Sequence, residues 1–271
     1  MNHPEPDVVI GIPTLNGPER LRTCLAAIKR HTPWARERVK VLALDDCSTY
    51  DGLEGNKCVA HEYGIDLLMH DARRGVAAGW NNLTRQTAAR IVILMNDDVE
   101  VVPDWYEALV FSLRNNEHAG MIGLPAYTGV NGRNFRMPGV PSYNEAKMQH
   151  GHKMLSTTGF LFGFRRERFD EIGGFDERFF LFYEEVDFGY RLLQKGWPSY
   201  MLSYPTVIHQ GGATTSDRQN VSDPSAYMLE SRDKFIQKHG GSIAELRDKL
   251  PKGYVYPEVV EWNTMLKTWV L

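Results

Sequence analysis

Short apolar runs alternate with amphipathic stretches through the first half of the chain. Asp7–Pro13 (DVVIGIP) predicts a buried strand, and Glu19–Arg30 predicts a helix with Leu21, Leu25 and Ile28 on one face. Further strands are expected at Val39–Leu44, Ile65–Met69 and Ile91–Met95, with a helix over Val76–Arg90. Pro103 suits the first residue of a helix running to about Asn115, because a first-turn N–H has no intrahelical partner to lose. Strands and helices in alternation imply an α/β fold, with a mainly parallel sheet covered by helices on both faces.

The second half is less regular. Tyr127–Lys153 is rich in Gly, Pro, Asn and His and has no clear period, so a long irregular loop is expected there. Order returns with the apolar run Gly159–Phe164, helices at Glu167–Ile172 and Glu184–Lys195, and a strand near Ser199–Leu202. A polar stretch follows His209. Two helical segments separated by Pro251–Pro257 are expected to close the chain.

Composition narrows the function classes. With 31 basic against 34 acidic residues, the net charge of −3 gives no bulk attraction to nucleic acid or anionic lipid. The three cysteines form no CxxC pair, and their odd number fits a reducing, cytoplasmic setting. The polar start MNHPEPD does not read as a signal peptide, and no apolar run approaches the roughly 20 residues that span a bilayer. Neither G-x-G nor GK[ST] occurs, nor do G-x-S-x-G and H-E-x-x-H, which disfavours dehydrogenase, NTPase, serine hydrolase and zinc peptidase chemistry.

Polar residues collect where the predicted strands end, which is where open α/β sheets bind ligands. Pro13-Thr14-Leu15-Asn16 follows the first strand, Asp45-Asp46 the second, and Asn96-Asp97-Asp98 the fourth. The last group suits a hard divalent cation, which takes oxygen ligands and keeps places for phosphate; each group is also ordinary turn chemistry. Three such ends together favour one shared pocket. Arg73-Arg74-Gly75 precedes a helix and either faces a pyrophosphate or forms a solvated turn. Glu184 and Glu185 open a helix behind the aromatic run Phe179–Tyr183. Either the helix dipole favours them there, or a dry wall raises a carboxyl pKa and makes a general base. His209, after Val207-Ile208, is a metal or phosphate ligand or a plain strand-end histidine.

Five segments in this order resemble the family 2 glycosyltransferases of the GT-A fold, especially the rhamnosyltransferase-like branch. They are VVIGIPTLNGPERLRTCLAAI, VLALDDCSTYDG, RRGVAAGWNN, LMNDDVEVVPDW and GFLFGFRRERFDEIGGFDERFFLFYEEVDFGYRLLQKGW. The likeness spans about residues 7 to 213. It implies a GT-A type, mainly parallel nucleotide-binding sheet flanked by helices. Residues 1–215 would form the catalytic domain, about 1–120 for the donor and about 121–215 for the acceptor, with 216–271 a C-terminal helical extension. It further implies Glu185 as catalytic base, and Asp98 with His209 as ligands of Mn²⁺ or Mg²⁺. Pro13, Thr14, Asn16, Asp45, Arg74, Asn81 and Asp97 would line the nucleotide-sugar site, with Asp45 at the base. The family usually has aspartate where this chain has Glu185, and the turn STYDG carries an extra Tyr50.

The activity implied is inverting, metal-dependent transfer from a nucleoside-diphosphate sugar, UDP among the candidates, to an acceptor hydroxyl. A saccharide or lipid-linked glycan is the expected acceptor, with a modified DNA base left open. A sugar-1-phosphate nucleotidyltransferase would need a glycine-rich basic loop near the first strand, where Pro13–Arg20 supplies one glycine. An inactive carbohydrate-binding or scaffold protein on the same fold is the alternative from another class. Val259, Trp262, Leu266 and Trp269 fall on one helical face, which suggests packing on its own domain, a homo-oligomer contact, or peripheral contact with a membrane.

Overall fold

The computed structural model describes residues 6–34, 38–130, 133–136, 152–212, 214 and 220–250. In chain order the first half runs β1 (Val8–Thr14), α1 (Pro18–His31), β2 (Val39–Asp45), α2 (Tyr50–Tyr63), β3 (Asp66–Met69), α3 (Val76–Arg85), β4 (Ile91–Met95), β5 (Val99–Glu100) and α4 (Trp105–Asn115). The second half adds β6 (Ile122–Gly123), β7 (Ala126–Val130), β8 (Arg133–Arg136), β9 (His152–Met154), β10 (Leu161–Arg165), α5 (Arg166–Ile172), α6 (Glu184–Gln194), β11 (Ser199–Met201), β12 (Val207–His209), α7 (Pro224–His239) and α8 (Ile243–Asp248).

Alternation of side chains along each strand divides the core between the two faces of the main sheet. Val8, Ile10 and Ile12 of β1 and Ile91, Ile93 and Met95 of β4 face one way, onto α1, α2 and α4. Val9, Val92 and Leu94 face the other way, onto α3, α5 and α6. Because both faces are covered, the strands read as unbroken apolar runs. The eight strands lie in the order β3-β2-β1-β4-β10-β6-β11-β9. Strands β3, β2, β1 and β4 are mutually parallel, and β10 runs against β4. This is a mixed α/β fold with a mostly parallel central sheet. A second sheet, β5-β12-β7-β8, stands beside the end of β4. A third apolar cluster, built on Phe179, Phe235 and Leu246, joins α7 and α8 to the body.

Five points depart from the sequence reading, the first being that α3 ends at Arg85 and not at Arg90. Helix α2 was not evident from the sequence, because it lacks an apolar stripe and buries only Asn56, Val59 and Ala60. Helix α4 begins two residues later than Pro103 implies, since Asp104 takes a left-handed conformation (φ 67°). The stretch Tyr127–Lys153 is not simply loop: it holds β7, β8 and the start of β9, all too short to show a period, while 137–151 lie outside the described residues. The first closing helical segment is two helices, broken where Gly240 turns left-handed (φ 72°). The stripe at Val259, Trp262, Leu266 and Trp269 lies outside the described residues. Among those residues, no helix is long and apolar enough to cross a membrane.

Candidate active site

The parallel register brings the carboxyl ends of β1, β2 and β4 to one edge, where Thr14 pairs with Asp45. The Asp46 N–H donates to the Thr14 carbonyl at 3.0 Å, so the loops after β1 and β2 are tied together. Asn16, in the left-handed region (φ 49°), extends the tie. Its Oδ1 accepts from the Thr49 N–H at 2.8 Å, and its Nδ2 donates to Asn220 Oδ1 at 2.7 Å.

Asp45 and Asp46 have different work. Asp45 is buried, and its two oxygens accept from the Ser48 N–H and from Asn56 Nδ2, both at 2.7 Å, which closes the turn into α2. Asp46 accepts the backbone N–H groups of Arg74 and Gly75 at 2.9 Å each and holds His70 Nδ1 at 2.7 Å. That fixes the start of α3. Gly75 (φ 82°) passes so close to the Phe180 carbonyl that a Cβ would sit 2.3 Å from its oxygen, so no side chain fits. Arg74, half exposed, pairs with Glu177 at 3.0 Å. Asn81 is buried and pins the segment before α6, giving a hydrogen bond to the Phe175 carbonyl and accepting one from its N–H. Pro13, at the exit of β1, lies beside Leu44.

Asp97 is turned inward. Thr14 Oγ1 donates to it at 2.7 Å, and Arg20 makes a two-pronged ion pair at 3.2 Å to each oxygen. Burial pushes its pKa up to about 6, opposed by the Arg20 charge. Arg20 escaped the sequence reading because it sits in a helix whose other charged residues are solvated. It also donates to the Leu15 carbonyl and to Thr214 Oγ1, so one guanidinium ties three segments at this edge.

Asp98 and His209 meet. Strand β12 lies antiparallel to β5, with His209 opposite Val99, and the Gln210 N–H donates to the Asp98 carbonyl at 3.0 Å. His209 Nε2 stands 3.2 Å from Asp98 Oδ1, both groups being largely buried. The His209 Nε2–H can donate to Asp98 in one tautomer, and in the other the two atoms are both acceptors that could share a cation. Adjacent oxygen or nitrogen ligands of a six-coordinate ion with bonds of about 2.1 Å lie roughly 3 Å apart, so the donor pair fits Mg²⁺ or Mn²⁺. Among the described residues no third His, Cys, Asp or Glu joins them.

Phe160 joins this pair to the candidate base. Its ring stacks on His209 with centroids 4.5 Å apart, and its carbonyl accepts from the Asn96 N–H at 2.8 Å. Next to it, Gly159 faces the Glu185 carboxyl: a Cβ there would be 3.0 Å from Cδ and 3.1 Å from Oε1. Burial pushes the Glu185 pKa up to about 7, against the backbone N–H groups of Glu185 and Val186 that favour the anion. Its neighbour Glu184 is raised well above the usual carboxylate range by burial and by the Glu185 charge. A carboxyl poised near neutrality is suited to taking a proton. Gly159 and Phe160 carried no sequence signal beyond an apolar run, since their contribution is to position other residues.

The model of Glycosyl transferase family 2 matches residues 9–173, more than half of the chain. The N-acetylglucosaminyl-diphospho-decaprenol L-rhamnosyltransferase of Mycobacterium tuberculosis is 29% identical over 107 residues, covering 39% of this chain and 34% of its own. The O-antigen biosynthesis protein RfbC of Myxococcus xanthus is 27% identical over 232 residues, covering 77% of this chain and 18% of its own. The chain thus matches about a third of one relative and under a fifth of the other. Among solved structures, the mannosyltransferase PcManGT from Pyrobaculum calidifontis in complex with GDP-Man and Mn²⁺ superposes with a TM-score of 0.63 at 16% identity. That match covers 90% of this chain and 68% of that one. GalNAc-T7 with UDP, GalNAc and Mn²⁺ gives a TM-score of 0.63 at 15% identity, over 92% and 57%. The structural likeness supports the fold alone. The family model's match to residues 9–173 decides the family: the chain belongs to glycosyl transferase family 2.

Proposed function

We propose that the protein transfers a sugar from a nucleoside-diphosphate donor to an acceptor hydroxyl, with a divalent cation and with inversion at the anomeric carbon. The observation that carries this reading is the chain of contacts Asp98–His209–Phe160–Gly159–Glu185, which sets a hard-cation donor pair and a near-neutral carboxyl on one sheet edge. Asp98 and His209 would hold Mn²⁺ or Mg²⁺, which as a Lewis acid offsets the charge of the departing diphosphate. Glu185 accepts the proton of the attacking hydroxyl, a contribution of roughly 10²–10⁴-fold. No other carboxyl is assigned to attack the sugar, so displacement is single and in line.

The nucleotide lies across the loops after β1 and β2. Pro13, Thr14 and Asn16 shape the floor, and Asp45 holds the turn against which the base would lie. Arg74 lies along the route of the diphosphate, and Asn81 and Asp97 brace the walls. Residues 1–215 act as the catalytic domain and 216–271 as an extension. The acceptor class is a lipid-linked glycan, by analogy with the named substrate of the mycobacterial relative. A cytoplasmic setting agrees with three unpaired cysteines. The test is release of nucleoside diphosphate from a panel of UDP-, dTDP- and GDP-sugars with Mn²⁺, Mg²⁺ or EDTA. Metal-dependent release from one donor is expected. Release unaffected by EDTA, or a product of retained configuration, would contradict the reading, and absence of donor binding would favour a non-catalytic role.

A further inference from the structure

Helix α7, like α6, lies beyond the family-matched residues, and one of its faces is devoted to the segment that delivers Glu185. That segment is unusual. Phe182 and Tyr183, directly before α6, both take left-handed backbone conformations (φ 67° and 69°), which large side chains avoid unless their surroundings enforce it. Helix α7 braces this segment at three points. Ser231 Oγ donates to the Leu181 carbonyl at 2.8 Å. Phe235 packs on the Tyr183 ring with centroids 5.5 Å apart. One turn on, His239 Nε2 stands 2.8 Å from Asp187 Oδ1, and Lys238 Nζ lies 2.6 Å from the same oxygen. Asp187 is fully buried two residues after Glu185, and its other oxygen is held by Arg191 at 2.7 Å. Residues 231, 235 and 239 recur every four positions, so they form one continuous stripe.

We infer that α7 is a positioning element of the active site, in which Ser231 and His239 hold the left-handed turn and the first turn of α6 so that the Glu185 carboxyl stays against Gly159. Neither residue touches the carboxyl itself, and the inference rests on Glu185 being the base. With Asp187 anchored at both oxygens, the start of α6 cannot rotate without breaking a buried ion pair. With the Leu181 carbonyl tied to Ser231, the turn cannot relax to an ordinary helical entry. Both restraints act on the direction in which Glu185 leaves the helix. Ser231, Phe235 and His239 make these contacts with the Leu181–Asp187 segment and not with the ends of β1, β2 and β4.

The full chain carrying His239→Leu, His239→Gln or Ser231→Ala is compared with the unaltered protein in two measurements. Hydrogen exchange of the backbone amides of residues 180–187 is expected to quicken in His239→Leu and Ser231→Ala. In the same variants, kcat for hydrolysis of the best donor of the panel should fall about tenfold or more, with donor KM within about twofold. Gln reproduces the Nε2 donor, so His239→Gln should restore both. If His239→Leu does not fold, Ser231→Ala decides alone. Unchanged kcat, or a loss that His239→Gln shares in full, overturns the inference. Glu185→Gln run alongside separates the two readings. Full turnover in Glu185→Gln removes the base and this inference with it. Lost turnover there, with intact turnover in the α7 variants, removes this inference only.

Discussion

Replacing Gly159 by alanine adds one methyl group directly in front of the Glu185 carboxyl. The new carbon would lie 3.0 Å from Cδ and 3.1 and 3.3 Å from the two oxygens. Comfortable contacts begin at about 3.5 Å, so the carboxyl must retreat by roughly half an ångström. A misplacement of about 1 Å costs on the order of 10²-fold in rate, so roughly tenfold is expected here. Stability should move little. Restricting the unfolded chain gains about 0.4–1 kcal/mol, and an off-rotamer glutamate loses about 0.5–1.5 kcal/mol. The assay is donor turnover beside donor affinity and urea unfolding, for Gly159→Ala and the unaltered protein. A fall in kcat with donor affinity and unfolding midpoint unchanged is the expected result. Unchanged kcat would show that the carboxyl has no required place against Gly159, and the argument linking it to the metal pair through Phe160 would fail.

Two further predictions concern charge. As the proposed base Glu185 must be anionic, and burial holds its pKa at about 7, so turnover should rise with pH through about 7 and then level off. Its folded pKa lies above the unfolded value, so its contribution to stability is greatest in acid and is lost as pH rises through 7. Glu185→Gln should therefore unfold at higher urea than the unaltered protein at pH 8, with the difference shrinking toward pH 5; a difference that grows in acid would refute the sign. Arg20→Leu leaves Asp97 buried without its cation and should destabilise the fold by about 3–5 kcal/mol at pH 8. The loss should be smaller at pH 5, where Asp97 takes up a proton, and urea unfolding at the two pH values checks both statements.

Much of the framework was legible because both faces of the main sheet are covered. Strands β1, β2 and β4 appear as apolar runs with polar ends, and Leu21, Leu25 and Ile28 mark α1 by their spacing. Helix α2 was hidden for a physical reason. Gly52 and Gly55 lie against Asn16 and Pro18, with no room for a Cβ, so close backbone approach replaces an apolar stripe. The polar strand ends do gather at one sheet edge, but the sequence could not divide labour within each pair. Asp45 closes a turn while Asp46 anchors α3, and Asp97 turns to Arg20 while Asp98 meets His209. Those partners stand 24 to 111 positions away in the chain or on another helix, and only the sheet register and the pairing of β12 with β5 bring them together. The same holds for α7, whose stripe at Ser231, Phe235 and His239 has meaning only beside the left-handed turn it restrains.

The assignment of Glu185 as the base is tested most directly by measuring donor binding and donor turnover side by side for Glu185→Gln in the presence of Mn²⁺. The substitution keeps the side chain's size and removes only its ability to take a proton. Donor affinity should be retained while turnover falls by roughly 10²–10⁴-fold. Turnover close to that of the unaltered protein would assign the proton to another group and contradict the account.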